Sequence, residues 1–245
     1  MSTGTELCRK DISYVAKTGV MLSLEVRSVP EVPVAYTTCR GVEVREVRAD
    51  VTLEVLRIVE EVRSSLDEEL IKRDKILLLY RSFIEKWVGS ARDVKVYPEL
   101  LLRRILSGRS FPHYNSVVDL VNAVSLATRV ALSVLDLRKF VPPLEMVYLD
   151  RELFVEDARG RAMKLRKGLL VLVDGRGKVL YVYPYKVTRE AYVDLNTKDL
   201  VVLSYGAPGI PTTTLVSSVA KVVGNLLSYD HYASCDEIKT APHSP

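Results

Sequence analysis

Cysteine is scarce in this chain of 245 residues: it occurs only at Cys8, Cys39 and Cys235, far apart in the sequence. Because there is no CxxC pair and no Cys/His cluster, the sequence predicts no zinc site. An odd number of widely spaced cysteines is most simply interpreted as reduced thiols of a cytoplasmic protein, since disulfides are rare in that compartment.

Long apolar runs are also missing. No uncharged stretch reaches the ~18–20 residues that a helix needs to cross a bilayer. The first residues, MSTGTELCRKDISYV, lack the apolar core of a signal peptide. The sequence therefore predicts a soluble protein with no membrane partner.

The motifs of cofactor and metal enzymes are absent as well. The chain contains no G-x-G-x-x-G, Walker A, H-E-x-x-H or G-x-S-x-G pattern, so we expect neither a cofactor nor metal chemistry. The stretch VDGRGK is too short for a phosphate loop and is typical of a β-hairpin turn. The net charge of +4 permits contact with nucleic acid but does not by itself indicate it.

Hydrophobic periodicity divides the chain into a helical first half and a strand-rich second half. Helices are predicted for DVTLEVLRIVEEVRSSL behind an N-capping Asp50, for RDKILLLYRSFIEKWV, and for YPELLLRRILSG between Pro98 and Gly108. Short β-prone runs follow across residues 144–205, and TTTLVSSVAKVVGNLL predicts a closing helix. The fold class is therefore α+β with a mainly antiparallel sheet.

The same patterns give the domain organisation. Residues 1–30 comprise an N-terminal tail, loose over residues 1–14, and the first strand. Residues 31–228 form a single domain. Residues 229–245 contain too little apolar surface to pack, so we predict a disordered C-terminal tail.

Polar residues interrupt the apolar stretch FPHYNSVVDLVNAVSLAT, residues 111–128. Asn115 stands where a helix N-cap belongs, a contribution of about 1 kcal/mol. Asn122 falls inside the helix, where asparagine has a low propensity and a buried amide must find partners. The residues alone leave two alternatives open: a polar network, for binding or for structure, or a solvated face.

This stretch resembles the tRNA-editing domain of the phenylalanyl-tRNA synthetase beta subunit, the B3/B4 domain, and above all free-standing versions of it. The family pattern N-x-V-V-D-x-x-N is matched by Asn115, Val117, Val118, Asp119 and Asn122. The segment L-x-R-R-x-L-x-G is matched from Leu102 to Gly108. The resemblance spans about Val34 to Leu227 and implies a B3/B4-like fold.

Two departures from the family pattern bear on catalysis. Bacterial editing sites carry a histidine in a P-x-H segment, where this chain has Ala131 and Ser133. The family's G-E pair is absent from VEDARGRAMKL. A mechanism that relies on that imidazole therefore does not carry over, although orientation of an activated ester and a water alone can supply several kcal/mol.

The resemblance and the polar pattern together give a candidate site. The candidate catalytic groups are Asp136, as a carboxylate that orients water or binds an ammonium, and His113, as a base. The alternatives are a surface aspartate and a locally bonded loop histidine. The candidate substrate-binding residues are Asn115, Asp119, Asn122, Ser125, Asp174, Tyr183, Asn196 and Thr197. We expect one pocket between this helix and the sheet.

Further aromatic and basic residues have two interpretations each. Tyr181, Tyr183 and Tyr185 alternate and are expected on one strand face, as core aromatics or as a base-stacking platform. The residues that either contact tRNA phosphates or are simply solvated are Arg103, Arg104, Arg109, Lys186 and Arg189.

Three functions are compatible with these patterns. The first is a free-standing editing-like domain that hydrolyses misacylated aminoacyl-tRNA in trans. The second is a non-catalytic module that binds tRNA or an amino acid and has lost the family's histidine. The third is a small-molecule hydrolase or binder unrelated to translation. For the first two, the expected partner is tRNA or aminoacyl-tRNA.

Overall fold

The computed structural model describes residues 24–87 and 95–242. Its helices are α1 (Ala49–Ser65), α2 (Glu68–Arg73), α3 (Lys75–Trp87), α4 (Tyr97–Leu106), α5 (Ser116–Thr128) and α6 (Thr212–Tyr229). Its strands are β1 (Val26–Arg27), β2 (Val34–Arg40), β3 (Ala131–Asp136), β4 (Leu144–Tyr148), β5 (Leu153–Glu156), β6 (Ala162–Leu165), β7 (Leu170–Val173), β8 (Val179–Val182), β9 (Lys186–Val187), β10 (Leu200–Tyr205), β11 (Ser234–Cys235) and β12 (Lys239–Ala241). The loose tail predicted for residues 1–14 lies outside the described residues. Within them, no helix is both long and apolar enough to span a membrane.

The strands form two larger sheets and a separate hairpin. One sheet has the order β1-β4-β7-β8-β9, and the other has the order β11-β2-β10-β3, with β12 also pairing with β2. Neighbouring strands are antiparallel except β1 and β4, which are parallel. The predicted α+β fold is confirmed, with its antiparallel strands divided between two sheets.

Helix α5 lies at the centre of the fold because nearly its whole circumference is apolar or small. It contacts α1, α4, α6 and β3, and Leu120 and Val124 are at most 1% exposed. Asn115 caps it as predicted, since its Oδ1 accepts a hydrogen bond from the Val118 amide at 3.0 Å. A helix buried on all sides must place its polar side chains against protein groups or a cavity.

The β5–β6 hairpin covers the face of the first sheet that points away from the main core. Val171 and Val173 of β7 pack in the apolar cluster beneath the hairpin, whereas Leu170 and Leu172 belong to the main core. Alternate residues of a strand point to opposite faces, so the sheet separates the two clusters. Asp157, in the hairpin turn of residues 157–161, forms an isolated β-bridge with Thr188 in the segment after β9.

The C-terminal segment pairs with the second sheet, contrary to the prediction of disorder. Both β11 and β12 pair with β2, and Asp236 accepts hydrogen bonds from Arg40 and Thr38. The prediction considered only the apolar content of this segment. Its position depends instead on backbone pairing and polar contacts, which apolar content does not measure.

Cys39 and Cys235 form a disulfide across this pairing, so the prediction that they are reduced is wrong. The two residues are directly opposite in the register of β2 and β11, although 196 residues separate them in sequence. Spacing along the chain could not indicate this contact, because it arises only when the C-terminal segment folds back onto β2. Cys8 lies outside the described residues.

Two helix boundaries also differ from the prediction. Helix α1 begins at Ala49, so Asp50 lies in the first turn, where its carboxylate accepts the next backbone amide at 2.8 Å. Helix α2 was not predicted as a separate element. Asp67 caps α2, and Asp74 accepts two amides of the first turn of α3. Each of these two helices therefore begins at an aspartate that satisfies its first backbone amides.

Substitution of Tyr80 by phenylalanine tests how α3 is attached to the second sheet. The buried Tyr80 hydroxyl donates to the Tyr205 carbonyl and accepts from the Ala131 amide. Removing it leaves both backbone groups without this partner in the core, so we expect the free energy of unfolding to fall by about 1–3 kcal/mol. Urea unfolding followed by circular dichroism measures the change.

The control is Tyr232→Phe, at a position that is 93% exposed, which should change the free energy of unfolding by less than about 0.5 kcal/mol. Equal losses in the two variants would contradict the role assigned to the Tyr80 hydroxyl.

Candidate functional site

A cavity of 440 Å³ lies between α5 and the two sheets, where the sequence predicted a pocket. One wall consists of α5 residues and another of β3 residues, including Ser133. The rest of the lining comes from Glu46 before α1, Tyr97 of α4, Tyr114 before α5, the β5–β6 turn, the end of the first sheet and the loop after β9. The volume falls in the range of small-molecule sites, roughly 300–1,000 Å³.

Asn115 holds two walls of the cavity together. While its Oδ1 caps α5, its Nδ2 donates to the carbonyl of Val193 in the loop after β9, at 3.0 Å. Asn115 is 6% exposed. Both ends of its amide have protein partners, so it positions the walls.

Asn122 is different, because its amide faces the cavity and is not used by the protein. The residue is 7% exposed and lines the cavity, yet its side chain makes no hydrogen bond to any residue of the described ranges. Buried amides normally have partners. Asn122 can therefore offer both a donor and an acceptor to a molecule in the cavity.

Ser133 of β3 and Tyr181 line the cavity, and both contact Tyr205, which is buried and lies outside the lining. The Ser133 Oγ and the Tyr205 hydroxyl are hydrogen-bonded at 2.8 Å, and Tyr181 stacks on Tyr205 with ring centroids 4.5 Å apart. Burial raises the pKa of both tyrosines above their usual value. Both hydroxyls therefore remain protonated donors at neutral pH.

A buried carboxylate organises the basic side of the cavity. Asp157, 1% exposed, accepts from the Lys186 Nζ at 2.9 Å and the Arg161 Nε at 3.0 Å. It also accepts the backbone amides of Arg159 and Arg161. Burial by itself would raise the pKa of Asp157, but Lys186 and the backbone amides outweigh it and hold the pKa well below its usual value. Asp157 thus stays charged and fixes the two side chains.

The loop after β9 is held by a second ion pair. The Lys139 Nζ binds the Asp194 Oδ2 at 2.6 Å and the Tyr192 carbonyl at 2.8 Å, and it lies 3.7 Å from the centre of the Tyr192 ring. This contact with Lys139 lowers the pKa of Asp194. Tyr192 and Asp194 both line the cavity.

Asp136 and Thr197, predicted as a catalytic and a binding residue, lie together but outside the lining of the cavity. Asp136 is 0% exposed, and its Oδ2 accepts from the Thr197 Oγ1 at 2.7 Å. Its Oδ1 accepts the Arg138 amide at 2.9 Å. The carboxylate attaches the loop after β9 to the end of β3, and this placement does not support a direct catalytic role.

Four other predicted binding residues also lie outside the lining of the cavity. Ser125 and Tyr183 donate to backbone carbonyls at 2.7 and 2.6 Å. Asp174 accepts backbone amides within the β7–β8 turn, which confirms the predicted hairpin. Asn196 is exposed. These side chains stabilise turns and packing around the site.

His113 and Asp119 form a pair in the loop before α5 and its first turn. The His113 Nδ1 lies 2.5 Å from the Asp119 Oδ2, and the Asp119 Oδ1 accepts the Tyr114 amide at 2.9 Å. Burial raises the pKa of Asp119, although the bonds from His113 and Tyr114 act in the opposite direction. Neither residue of the pair lines the cavity, whereas Tyr114 does.

Sequence reasoning missed Tyr97, Asp157, Arg159 and Arg161 as lining residues. The stretch VEDARGRAMKL was noted only for the G-E pair that it lacks. An aspartate followed by arginines two and four residues later, between two β-prone runs, was a usable signal for a turn with a charged cluster.

The sequence is similar to one family of known proteins. A family model described as the B3/4 domain matches residues 79–214, more than half of the chain. Among solved structures, the chain is similar to an N-terminal fragment of the phenylalanyl-tRNA synthetase beta subunit from Pyrococcus horikoshii, with 12% sequence identity and a TM-score of 0.48. The match covers 91% of this chain and 55% of that fragment. No curated protein matches the sequence significantly.

Substitution of Asp157 by asparagine tests the charge cluster. We expect the free energy of unfolding at pH 7 to fall by about 1–3 kcal/mol, because charged hydrogen bonds to a buried group are removed. The folded-state pKa of Asp157 lies below the unfolded value. Its contribution is therefore present above about pH 4 and is lost as the pH falls through the folded-state pKa.

Urea unfolding of wild type and Asp157→Asn at a series of pH values measures this dependence. The difference between them should shrink as the pH drops below about 4. Glu61→Gln, at a glutamate whose side chain is 66% exposed, is the control and should change stability by less than about 0.5 kcal/mol. A difference for Asp157→Asn that does not depend on pH would contradict the prediction.

Proposed function

Because the chain belongs to the B3/4 domain family, we propose that it is an editing-like domain that hydrolyses misacylated aminoacyl-tRNA in trans. The observation that carries the proposal is the buried Asn122 amide, which no described residue uses, in the wall of a 440 Å³ cavity. Pockets of this size enclose small ligands. We expect the cavity to enclose the aminoacyl group, with the terminal ribose at its mouth.

The reaction needs few protein groups. A water attacks the ester carbonyl carbon, the bond from that carbon to the ribose oxygen breaks, and a proton from the water passes to the ribose oxygen. In this proposal the Asn122 amide donates a hydrogen bond to the carbonyl oxygen as negative charge develops there, and Tyr181 is a second donor nearby. Fixed donors of this kind stabilise the transition state without reorganising.

Ser133 favours a second candidate, a module that binds aminoacyl-tRNA or an amino acid without hydrolysing it. It occupies the position where related bacterial editing sites have histidine, and its hydroxyl is hydrogen-bonded to the Tyr205 hydroxyl. It therefore does not supply an equivalent base. Release of labelled amino acid from a panel of mischarged tRNAs, with tRNA binding measured in parallel, separates the two candidates. Binding without release supports the second candidate. If the protein neither binds the tRNAs nor releases amino acid, both candidates are eliminated.

Asn122→Ala is the direct test of the proposed site. We expect the deacylation rate constant to fall by about 10²- to 10³-fold, as for the removal of one transition-state donor. Stability should hold or rise by roughly 0.5 kcal/mol, since alanine is the better helix former and no described partner is left unsatisfied. Single-turnover deacylation and thermal unfolding measure the two effects.

Ser125→Ala, one turn further along the same helix, is the matched control. The Ser125 Oγ is buried and donates to a backbone carbonyl away from the cavity, so its removal should cost about 1–3 kcal/mol of stability and leave deacylation unchanged. If Asn122→Ala instead behaved like Ser125→Ala, the Asn122 amide would be structural and the proposed site would be wrong.

His113→Ala tests the imidazole that the sequence suggested as a base. Because His113 does not line the cavity and its Nδ1 is taken by Asp119, we expect the deacylation rate to change by less than about threefold, against the roughly 10²–10⁴-fold effect of a general base. The rate is measured between about pH 5 and pH 8, the range in which histidine side chains ordinarily change charge. A large decrease, with a changed pH profile, would return the base role to His113.

A further inference from the structure

We propose that the turn of the β5–β6 hairpin, together with Lys186 and Arg189, holds the phosphodiester backbone of a single-stranded RNA end that leads into the cavity. This inference rests on the proposed function and deepens it. It assigns the polynucleotide to one side of the cavity mouth, which we call the basic rim and define by Arg159, Arg161, Lys186 and Arg189.

Positive charge is concentrated in this part of the chain. Residues 151–190 contain ten Lys and Arg but five Asp and Glu, a net charge of +5, whereas the whole chain has a net charge of +4. The rest of the molecule is therefore close to neutral. A polyanion is attracted to this segment rather than to the protein as a whole.

Within the basic rim, cations outnumber the carboxylates that bind them. Lys186 and Arg161 share the single carboxylate of Asp157. Arg189 binds Glu156 at 2.7 Å. Its guanidinium also lies close to the hairpin turn, since a Cβ added at Gly160 would be 3.3 Å from it. Each of these three side chains has more N–H donors than its contact with a carboxylate uses, so further donors are available to phosphate oxygens.

Arg159 is the member of the rim without a carboxylate partner in the part of the chain that is described. It lines the cavity, and its guanidinium carbon lies 4.6 Å from the centre of the Tyr114 ring. A guanidinium that lies over a ring still has N–H groups that can bind a phosphate through two hydrogen bonds. Arg159 is therefore placed to bind an anion at the cavity mouth.

Aromatic rings accompany these cations, which favours single-stranded nucleic acid over an acidic peptide. Tyr114 is 36% exposed beneath Arg159, and the Lys186 Nζ lies 5.1 Å from the centre of the Tyr185 ring. Both tyrosines line the cavity. Basic grooves with interleaved aromatic rings bind unpaired strands, because every base has a face that can stack.

Arg159→Gln tests the proposal, since Arg159 is exposed and has no ion pair to break. The probe is a short fluorescein-labelled RNA ending in single-stranded CCA, titrated with the full chain in fluorescence anisotropy at several salt concentrations. We expect weaker binding and a plot of log K against log salt that is shallower by about 0.7 for each phosphate that the variant no longer neutralises. With aminoacyl-tRNA as substrate, KM should rise while kcat stays unchanged.

Arg73→Gln is the matched control, because it makes the same charge change at an exposed residue of α2 that does not line the cavity. Equal salt slopes for the two variants would contradict the proposed binding of RNA at the basic rim. So would a polyglutamate peptide of the same charge that competes as strongly as RNA does. The deacylation measured for wild type and Asn122→Ala would still decide the proposed function. Absence of RNA binding by the wild type would also contradict the proposed binding at the basic rim.

Discussion

The side chain of Asn115 is hydrogen-bonded both to α5 and to the loop after β9, and these two bonds help to set the shape of the cavity. The oxygen of its amide caps the helix, and the nitrogen holds the Val193 carbonyl. The same loop is fixed at Asp194 by Lys139 and at Thr197 by Asp136. These polar anchors leave this wall little freedom to collapse onto α5, so the space beside Asn122 persists. Such support is what a binding site needs in order to hold its geometry.

The polar residues of the lining include an uncharged group on α5 and β3 and a charged group at the basic rim. Among the uncharged residues, Ser133 is hydrogen-bonded to the buried Tyr205, while Asn122 has no described partner. At the rim, the charges are arranged around Asp157, whose low pKa keeps it ionised beside Lys186 and Arg161. Under the proposed function, uncharged lining residues beside a basic rim suit a ligand that is small and weakly charged at one end and polyanionic at the other.

The features that the sequence predicted well are local ones. The Asn115 cap, the Gly108 helix end and the β7–β8 turn each depend on residues within a few positions of one another. Asn122 could be singled out because an asparagine inside an apolar helix contradicts local propensity. The position of Asp136 could not be resolved in this way. The sequence indicates that it is near the site, but only the packing of Thr197 against it decides whether its carboxylate faces a ligand or the protein.

Long-range pairing explains the remaining differences. The strands β11 and β12 and the Cys39–Cys235 disulfide depend on pairing between the two ends of the described chain, and no local pattern encodes such pairing. The hairpin turn is similar. Its aspartate and arginines indicate a charged turn locally, but they become part of a site only because the hairpin packs on the far face of the first sheet and brings its turn to the cavity.

Ser133 shows how the chemistry of the cavity is limited by its packing. Its hydroxyl could replace a lost imidazole only if it were available to a water, but it is buried and bonded to Tyr205. Burial also raises the pKa of that tyrosine, so the pair offers no base at neutral pH. Under the proposed function, hydrolysis would therefore depend on orienting an already reactive ester, and the amide of Asn122 is the group proposed for that task.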